Sequence, residues 1–129
     1  MDETDQRPPL VVCDAGPLIH LDELACLDLL ADFPAVLVPA VVWREVQRYR
    51  PSALGQSVVT LRQRTPTQPV PPALAAMARL LALHAGEMEA LRVAMEHDPA
   101  LLLTDDTAAR FAARNLSIRA HGTLGILLR

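Results

Sequence analysis

Five carboxylates stand at the ends of apolar runs or within apolar helix faces of this chain: Asp14, Glu45, Glu87, Asp105 and Asp106. Asp14 closes the run Leu10-Val11-Val12-Cys13, and the pair Asp105 and Asp106 follows Leu101-Leu102-Leu103-Thr104. Glu45 and Glu87 fall within the apolar arcs of two separate predicted helices. A carboxylate withdrawn from water is costly unless it is protonated, hydrogen-bonded or bound to a cation. Several gathered together also repel one another, so such a group points to a divalent metal. Hard oxygen donors suit Mg²⁺ or Mn²⁺, which take octahedral oxygen coordination and keep some of their waters. Such an ion can hold a phosphodiester, activate water and stabilise a leaving oxygen.

Each acid also has a plainer role open to it. Asp14, Asp105 and Asp106 suit helix caps or turns, and either strand end taken alone reads that way. Glu45 is more telling. At about 100° per residue, Val42, Val46 and Tyr49 lie within roughly 60° of one another, and Glu45 falls between Val41 and Tyr49. Arg44, Gln47 and Arg48 face the other way. Glu87 shares a face with Ala90, Leu91, Ala94 and Met95, just after Gly86, where a helix N-terminus favours its charge. An N-terminal charge without catalytic duty is its alternative. Glu89 and Glu96 read as solvated charges. His20, His84, His97 and His121 show neither HxxxH nor HExxH spacing and read as surface or structural residues. Cys13 and Cys26 lack a CxxC or His/Cys partner set, which argues against zinc and for two reduced cysteines in buried segments.

The elements that must position these acids alternate between strand and helix. Residues 10–14 form a short buried strand ended by Asp-Ala-Gly-Pro, and Pro17 suits a first helical turn. Leucines from Leu18 to Leu30 carry that helix to about Asp32. Ala35–Val38 is a second strand, followed by a helix from Pro39 to about Arg50. Five prolines at 51, 66, 69, 71 and 72 mark an irregular connection around one further strand at Ser57–Leu61. Helices follow at Ala73–Leu83 and from Glu87 to about His97, separated by His-Ala-Gly. Leu101–Thr104 is a clear strand, 106–115 a helix, Ser117–Ala120 a short strand and Gly122–Arg129 a final helical turn. This alternation predicts a parallel sheet covered on both faces, with sites outside the carboxyl ends of its strands.

The bulk composition narrows the field. A chain of 129 residues that is 51% hydrophobic makes one domain with a substantial core, expected over 10–129, behind a polar, disordered tail at 1–9. Only 3% of the chain is aromatic, so a platform for stacking bases is not expected. No apolar run spans a membrane and Met1–Pro9 has no signal-peptide core, which suggests a cytoplasmic protein. All 12 basic residues are arginine, whose guanidinium suits phosphate as well as carboxylate. The net charge of −3 argues against a broad nucleic-acid-binding surface but not against an acidic hydrolytic site.

Five segments now occur in order: Val-Val-Cys-Asp14-Ala-Gly-Pro-Leu-Ile, Val-Pro-Ala-Val-Val-Trp-Arg-Glu45-Val, Ala-Gly-Glu87-Met-Glu-Ala-Leu, Leu-Leu-Thr-Asp105-Asp106 and Gly122-Thr-Leu-Gly-Ile-Leu. Over about residues 10–128 the chain resembles a PIN domain, in particular the small prokaryotic subgroup ending in a GTLG(I/V)L-like segment. The resemblance implies a three-layer α/β/α sandwich with a central parallel sheet of four to five strands. It implies a Mg²⁺- or Mn²⁺-dependent endonuclease acting on RNA, similar to the toxin half of VapBC-type toxin–antitoxin pairs. Asp14, Glu45, Glu87 and Asp106 match the catalytic, metal-binding acids, and Asp105 shares or replaces the role of Asp106. Thr104 matches a position where a hydroxyl supports the site. Arg110, one helical turn beyond Asp106, suits contact with phosphate or with a carboxylate, or a structural ion pair.

Two departures stand out. Members of the resembled family commonly continue past GTLGIL into another helix, so an incomplete sheet edge or dimer surface, or a truncated chain, is expected from the stop at Arg129. The Pro51–Pro72 stretch matches no family motif. A catalytically degenerate PIN domain acting as a protein-binding module is the main alternative, favoured by the short C-terminus and opposed by the full set of acids. A flap-type DNA nuclease would need extra acids and insertions, and a receiver-like phospho-acceptor a late lysine, which the chain lacks. Surplus apolar residues between Leu18 and Leu30, with Leu124, Ile126, Leu127 and Leu128, suggest a homodimer. If the protein is toxin-like, a small antitoxin segment would cover the same surface and set an arginine among the carboxylates.

Overall fold

Alternate residues of the apolar strands face opposite ways, and this divides the core in two. The computed structural model describes residues 10–128; the tail expected to be disordered at 1–9 lies outside them. Strands β1 (Leu10–Cys13), β2 (Val36–Pro39), β3 (Leu61–Arg64), β4 (Ala100–Leu103) and β5 (Arg119–His121) form one sheet in the order β3-β2-β1-β4-β5. Every neighbouring pair is parallel. Val11, Cys13, Val36, Val38, Leu101 and Leu103 face one core, where Leu18, Leu21, Leu30, Val42, Val46 and Ile126 meet them. Val12, Leu37 and Leu102 face the other, against Leu74, Leu91, Val93, Ala112 and Ala113. Helices α1 (Ala15–Glu23), α2 (Ala40–Tyr49) and α6 (Thr123–Leu127) thus cover one face, and α3 (Pro72–Leu81), α4 (Ala85–Glu96) and α5 (Thr107–Asn115) the other. This is a three-layer α/β/α sandwich. None of the described helices is long and apolar enough to cross a membrane.

Several boundaries depart from the sequence expectation. The first helix stops at Glu23 instead of running to Asp32, and a separate 3₁₀ turn occupies Leu27–Leu30. Ala25 takes a left-handed φ of 55° while Cys26 N donates to Leu21 O at 2.7 Å, closing the helix. Such a stop usually announces itself with glycine, and alanine gives no such signal. Cys26 consequently lies outside a helix and is half-buried, whereas Cys13 is fully buried; both are free thiols. The third strand is Leu61–Arg64, displaced from the expected Ser57–Leu61, because Leu61 pairs with Val36. Its exposed Arg62, Gln63 and Arg64 hide it from an apolar pattern.

Glu89 and Glu96 are not merely solvated. Glu89 Oε1 accepts from Val41 N at 2.9 Å, capping α2, where Pro39 provides no side-chain cap. Glu96 accepts from Thr67 N at 2.9 Å and Gln68 N at 2.8 Å, fastening the proline-rich connection to α4. Among the residues expected to be surplus, Leu18, Leu21, Leu27, Leu30 and Ile126 are buried, while Leu24, Leu29, Leu124 and Leu128 are exposed.

Asp22 joins the end of α1 to the turn after α2. It accepts from Ser52 Oγ at 2.7 Å, Arg50 Nε at 2.7 Å and Gln56 Nε2 at 3.2 Å. The Ser52 hydroxyl, more than any other group, with help from the Arg50 guanidinium, holds this carboxyl below its usual range. A carboxyl depressed in the folded state stabilises above its unfolded pKa, and that stability disappears as pH falls through the folded value. Asp22→Asn should therefore cost roughly 1–2 kcal/mol at neutral pH, with the difference from wild type closing as the solution is acidified below the unfolded value. Urea melts across that pH range check this; a gap that persists in acid would show that packing, not charge, is lost.

Candidate metal centre

The strand order turns around at β1: the chain moves from β1 out to β2 and β3, then crosses back to β4 on the other side. Ligand sites in open α/β sheets form at such switch points, beyond the carboxyl ends of the strands. Asp14 follows β1 and the Thr104-Asp105-Asp106 segment follows β4, side by side because Cys13 is in register with Leu103. Asp14 N donates to Leu103 O at 2.8 Å, extending the ladder by one residue. Helix α2 brings Glu45 and the N-terminus of α4 brings Glu87. Asp14, Glu45, Glu87, Asp105 and Asp106 line one cleft of ≈ 260 Å³, together with Ala15, Gly16, Gly86 and His84.

Thr104 joins the two strand ends. Its buried hydroxyl donates to Asp14 Oδ2 at 2.9 Å and accepts from Asp106 N at 3.2 Å. Asp14 Oδ1 accepts from Ala15 N at 2.9 Å. Burial pushes the Asp14 carboxyl above its usual range; the hydrogen bonds from Ala15 and Thr104 oppose this, and the charges of Glu87 and Asp106 reinforce it. Asp106 caps α5, its Oδ2 accepting from Ala109 N at 2.7 Å. Glu87 Oε1 accepts from His84 N at 2.8 Å at the start of α4. The capping roles foreseen for these acids are therefore occupied, each by one oxygen.

Glu45 does not sit in a buried arc. Val42 and Val46 are buried, but Glu45 and Tyr49 are exposed, and Glu45 reaches the cleft from its rim. Its carboxylate makes no hydrogen bond or ion pair with any described residue. Gly86 keeps the space in front of it open: a Cβ there would stand 3.6 Å from Glu45 Oε1 and 3.7 Å from Asp14 Oδ1. A side chain at Gly86 would fill the gap between these two acids.

Asp105 behaves differently from Asp106. Its Oδ1 accepts from Thr123 N at 2.6 Å, and its Oδ2 from Thr123 Oγ1 at 2.6 Å and His20 Nδ1 at 2.8 Å. Burial opposes its charge, yet the bonds from Thr123 and His20 hold the carboxyl below its usual range. Asp105 thus fastens α6 and α1 to the end of β4 and has both oxygens engaged. Arg110 makes no ion pair with a described acid; its Nη1 donates to Thr104 O at 3.0 Å. The sequence patterns missed His20, a partner of Asp105, and His84, which lines the cleft, because neither belongs to a spacing motif.

Among the described residues, no three His, Cys, Asp or Glu side chains are placed to hold a metal ion as they stand. The donor chemistry nonetheless fits a hard divalent cation. Five carboxylates share a cleft with no lysine or arginine in its lining, and Mg²⁺ binds through one or two carboxylates while retaining waters. Asp14, Glu45, Glu87, Asp105 and Asp106 are the carboxylates in the lining that would hold it.

Comparison with known proteins supplies the family. A family profile described as a PIN domain matches residues 10–129. Among solved structures, a PilT N-terminus domain protein, SSO1118, from the archaeon Sulfolobus solfataricus P2 superposes with a TM-score of 0.66 at 20% identity, covering 92% of this chain and 91% of that one. PAE2754 from Pyrobaculum aerophilum gives 0.58 at 14% identity, covering 94% and 88%. Comparison with curated proteins gives no match. The two structural likenesses bear on fold alone; the profile spans every element from β1 to α6, and on that ground the chain belongs to the PIN-domain family.

Proposed function

We propose that this protein is a divalent-metal-dependent endoribonuclease, the toxin component of a toxin–antitoxin pair, acting in the cytoplasm. The observation that carries the reading is the convergence of Asp14, Glu45, Glu87 and Asp106, from four separate elements, on one cleft of a PIN domain. A bound Mg²⁺ or Mn²⁺ would supply charge neutralisation for the phosphodiester and a water of lowered pKa. The protein's own part is placement. Thr104 fixes Asp14 relative to the Asp106 backbone, and Gly86 leaves the space between Asp14 and Glu45 clear. Glu87 and Asp106, each anchored by one oxygen at a helix N-terminus, line the cleft with the other oxygen free of any hydrogen bond to a described residue. Asp105 acts as a positioning residue, since its oxygens hold Thr123 and His20.

An RNA-cleavage assay with Mn²⁺, Mg²⁺ or EDTA tests the reading directly. Cleavage should need the metal, and Asp14→Asn should reduce it by at least about a hundredfold, as expected when a group acting at the reacting centre is lost. Metal-independent cleavage, or full activity in Asp14→Asn, would overturn the reading. Absence of cleavage by the wild type across varied RNAs would favour a protein-binding module built on the same fold.

Melting in EDTA examines the site from the other side. A buried acid with a raised folded pKa favours protonation on folding, so ionised Asp14 destabilises the apo protein increasingly as pH rises from the unfolded value through the folded one. Asp14→Asn should melt at or above the wild-type temperature at neutral pH in EDTA, and Glu87→Gln should do the same by relieving like charge. A clear loss of stability in both, with activity retained, would make these acids structural.

Partners follow from the exposed apolar residues. Leu24, Leu29, Leu124 and Leu128 are 55%, 39%, 71% and 81% exposed, and surplus apolar surface marks interfaces. A homodimer is expected, and an antitoxin segment that covers this surface and brings an arginine to the carboxylates. Light scattering on the purified protein should give twice the chain mass; a folded monomer at tens of micromolar would defeat the dimer.

A further inference from the structure

A second hollow, of ≈ 490 Å³, lies along α5 and β5 and is lined by Arg110, Arg114, Ser117, Ile118, Arg119, Ala120 and His121. Its lining holds three arginines and a histidine but no acid, on a chain whose net charge is −3. Arg110 and Arg114 stand one turn apart on α5, so their side chains share a face with Cβ atoms about 5–6 Å apart. Arg119 joins them from β5, the edge strand. The Arg114 and Arg119 side chains are exposed and make no hydrogen bond or ion pair with any described residue. Unpaired guanidinium groups gathered along one groove are a ready surface for phosphate, which they meet in bidentate fashion.

The groove adjoins the acidic cleft. Arg110 lines the first, Asp105 and Asp106 the second. Arg110 Nη1 bonds the carbonyl of Thr104, the residue just before the two acids. Gly122 marks the junction: a Cβ there would lie 2.8 Å from Asp105 Oδ1 and 3.2 Å from Arg110 Nη1. A side chain at this point would force the acid and the arginine apart. A polyanionic strand entering a cleft of carboxylates meets repulsion, and a flanking row of cations offsets it.

We infer that the α5–β5 groove is a binding track for the phosphate backbone of single-stranded RNA, with Arg114 and Arg119 as its contacts and Arg110 at its junction with the acidic cleft. The inference rests on the nuclease reading for the choice of RNA. The groove lining contains no aromatic residue on which a base could stack, so recognition is by charge and indifferent to base sequence.

The test measures binding of a labelled single-stranded oligoribonucleotide by fluorescence anisotropy in EDTA, over a range of salt, for wild type, Asp14→Asn, R114Q/R119Q and R114K/R119K. Cleavage is assayed in parallel with Mn²⁺. The double glutamine variant should bind about tenfold more weakly, and its log–log salt slope should be shallower by about 1.4, the value for two lost phosphate contacts on a single strand. The lysine variant should recover most of the affinity and the slope, and all four proteins should keep a folded melting transition. Arginine-dependent binding without any cleavage by the wild type would uphold the track while the nuclease reading fails. Cleavage by the wild type with unchanged affinity and slope in R114Q/R119Q would overturn the track alone. Arginine-dependent binding of a poly-glutamate probe, with no such dependence for RNA, would assign the groove to an acidic protein segment and also overturn the proposal.

Discussion

The parallel register of β1 on β4 is the constraint on which the site depends. Val11, Val12 and Cys13 pair in turn with Leu101, Leu102 and Leu103, and the same register carries Asp14 to Thr104 one step beyond the last pair. A slip of one residue would exchange every side chain between the two cores, sending Val12 and Leu102 where Val11 and Leu101 belong. Because both faces of the sheet are covered at β1 and β4, such an exchange disrupts tight packing on both sides. The apolar strands therefore fix the position of the acids that follow them.

Beyond the ends of the strands, polar groups take over from packing. Thr104 ties Asp14 to Asp106, and Asp105 ties α6 and α1 to the sheet. The two adjacent aspartates divide the labour. Asp105 has its oxygens committed to Thr123 and His20 and its pKa lowered by them. Asp106 uses one oxygen to cap α5, and both aspartates line the cleft. The Gly-Thr of the C-terminal segment acquires a physical meaning here: Thr123 supplies two of the three donors to Asp105, and Gly122 permits their close approach.

Electrostatics then separates the surface into two adjoining regions of opposite sign. The acidic cleft suits a cation, and the arginine groove beside it suits an anion. A small negative net charge conceals this division, because it averages over a separation that matters only locally. Solvent-exposed guanidinium groups at low ionic strength would attract a polyanion over a distance of about a Debye length, whereas the cleft alone would repel it.

Much of the fold was legible in the chain. Runs such as Leu10–Cys13 and Leu101–Leu103 are short, branched and bounded by turn residues, so their burial follows from the hydrophobic effect, and their parallel pairing from the alternation of strands with helices. The recurrence of acids after strands and on helix faces likewise pointed to Asp14, Glu45, Glu87 and the pair Asp105 and Asp106, which line one cleft, although Glu45 stands exposed at its rim and not in a buried arc. What the chain did not reveal depends on contacts distant in sequence. β3 is a strand because Leu61 pairs with Val36, not because its own Arg-Gln-Arg pattern demands it. Helix α1 ends at an alanine in left-handed conformation, with no local glycine to announce it. The capping of α2 by Glu89, the bond between His20 and Asp105 across 85 positions, and the meeting of Arg110, Arg114 and Arg119 beside the acids were decided only by the tertiary structure. Periodicity reports which face of an element is buried; it holds no information about which charged groups from other elements will stand opposite, since that is set by how the layers pack.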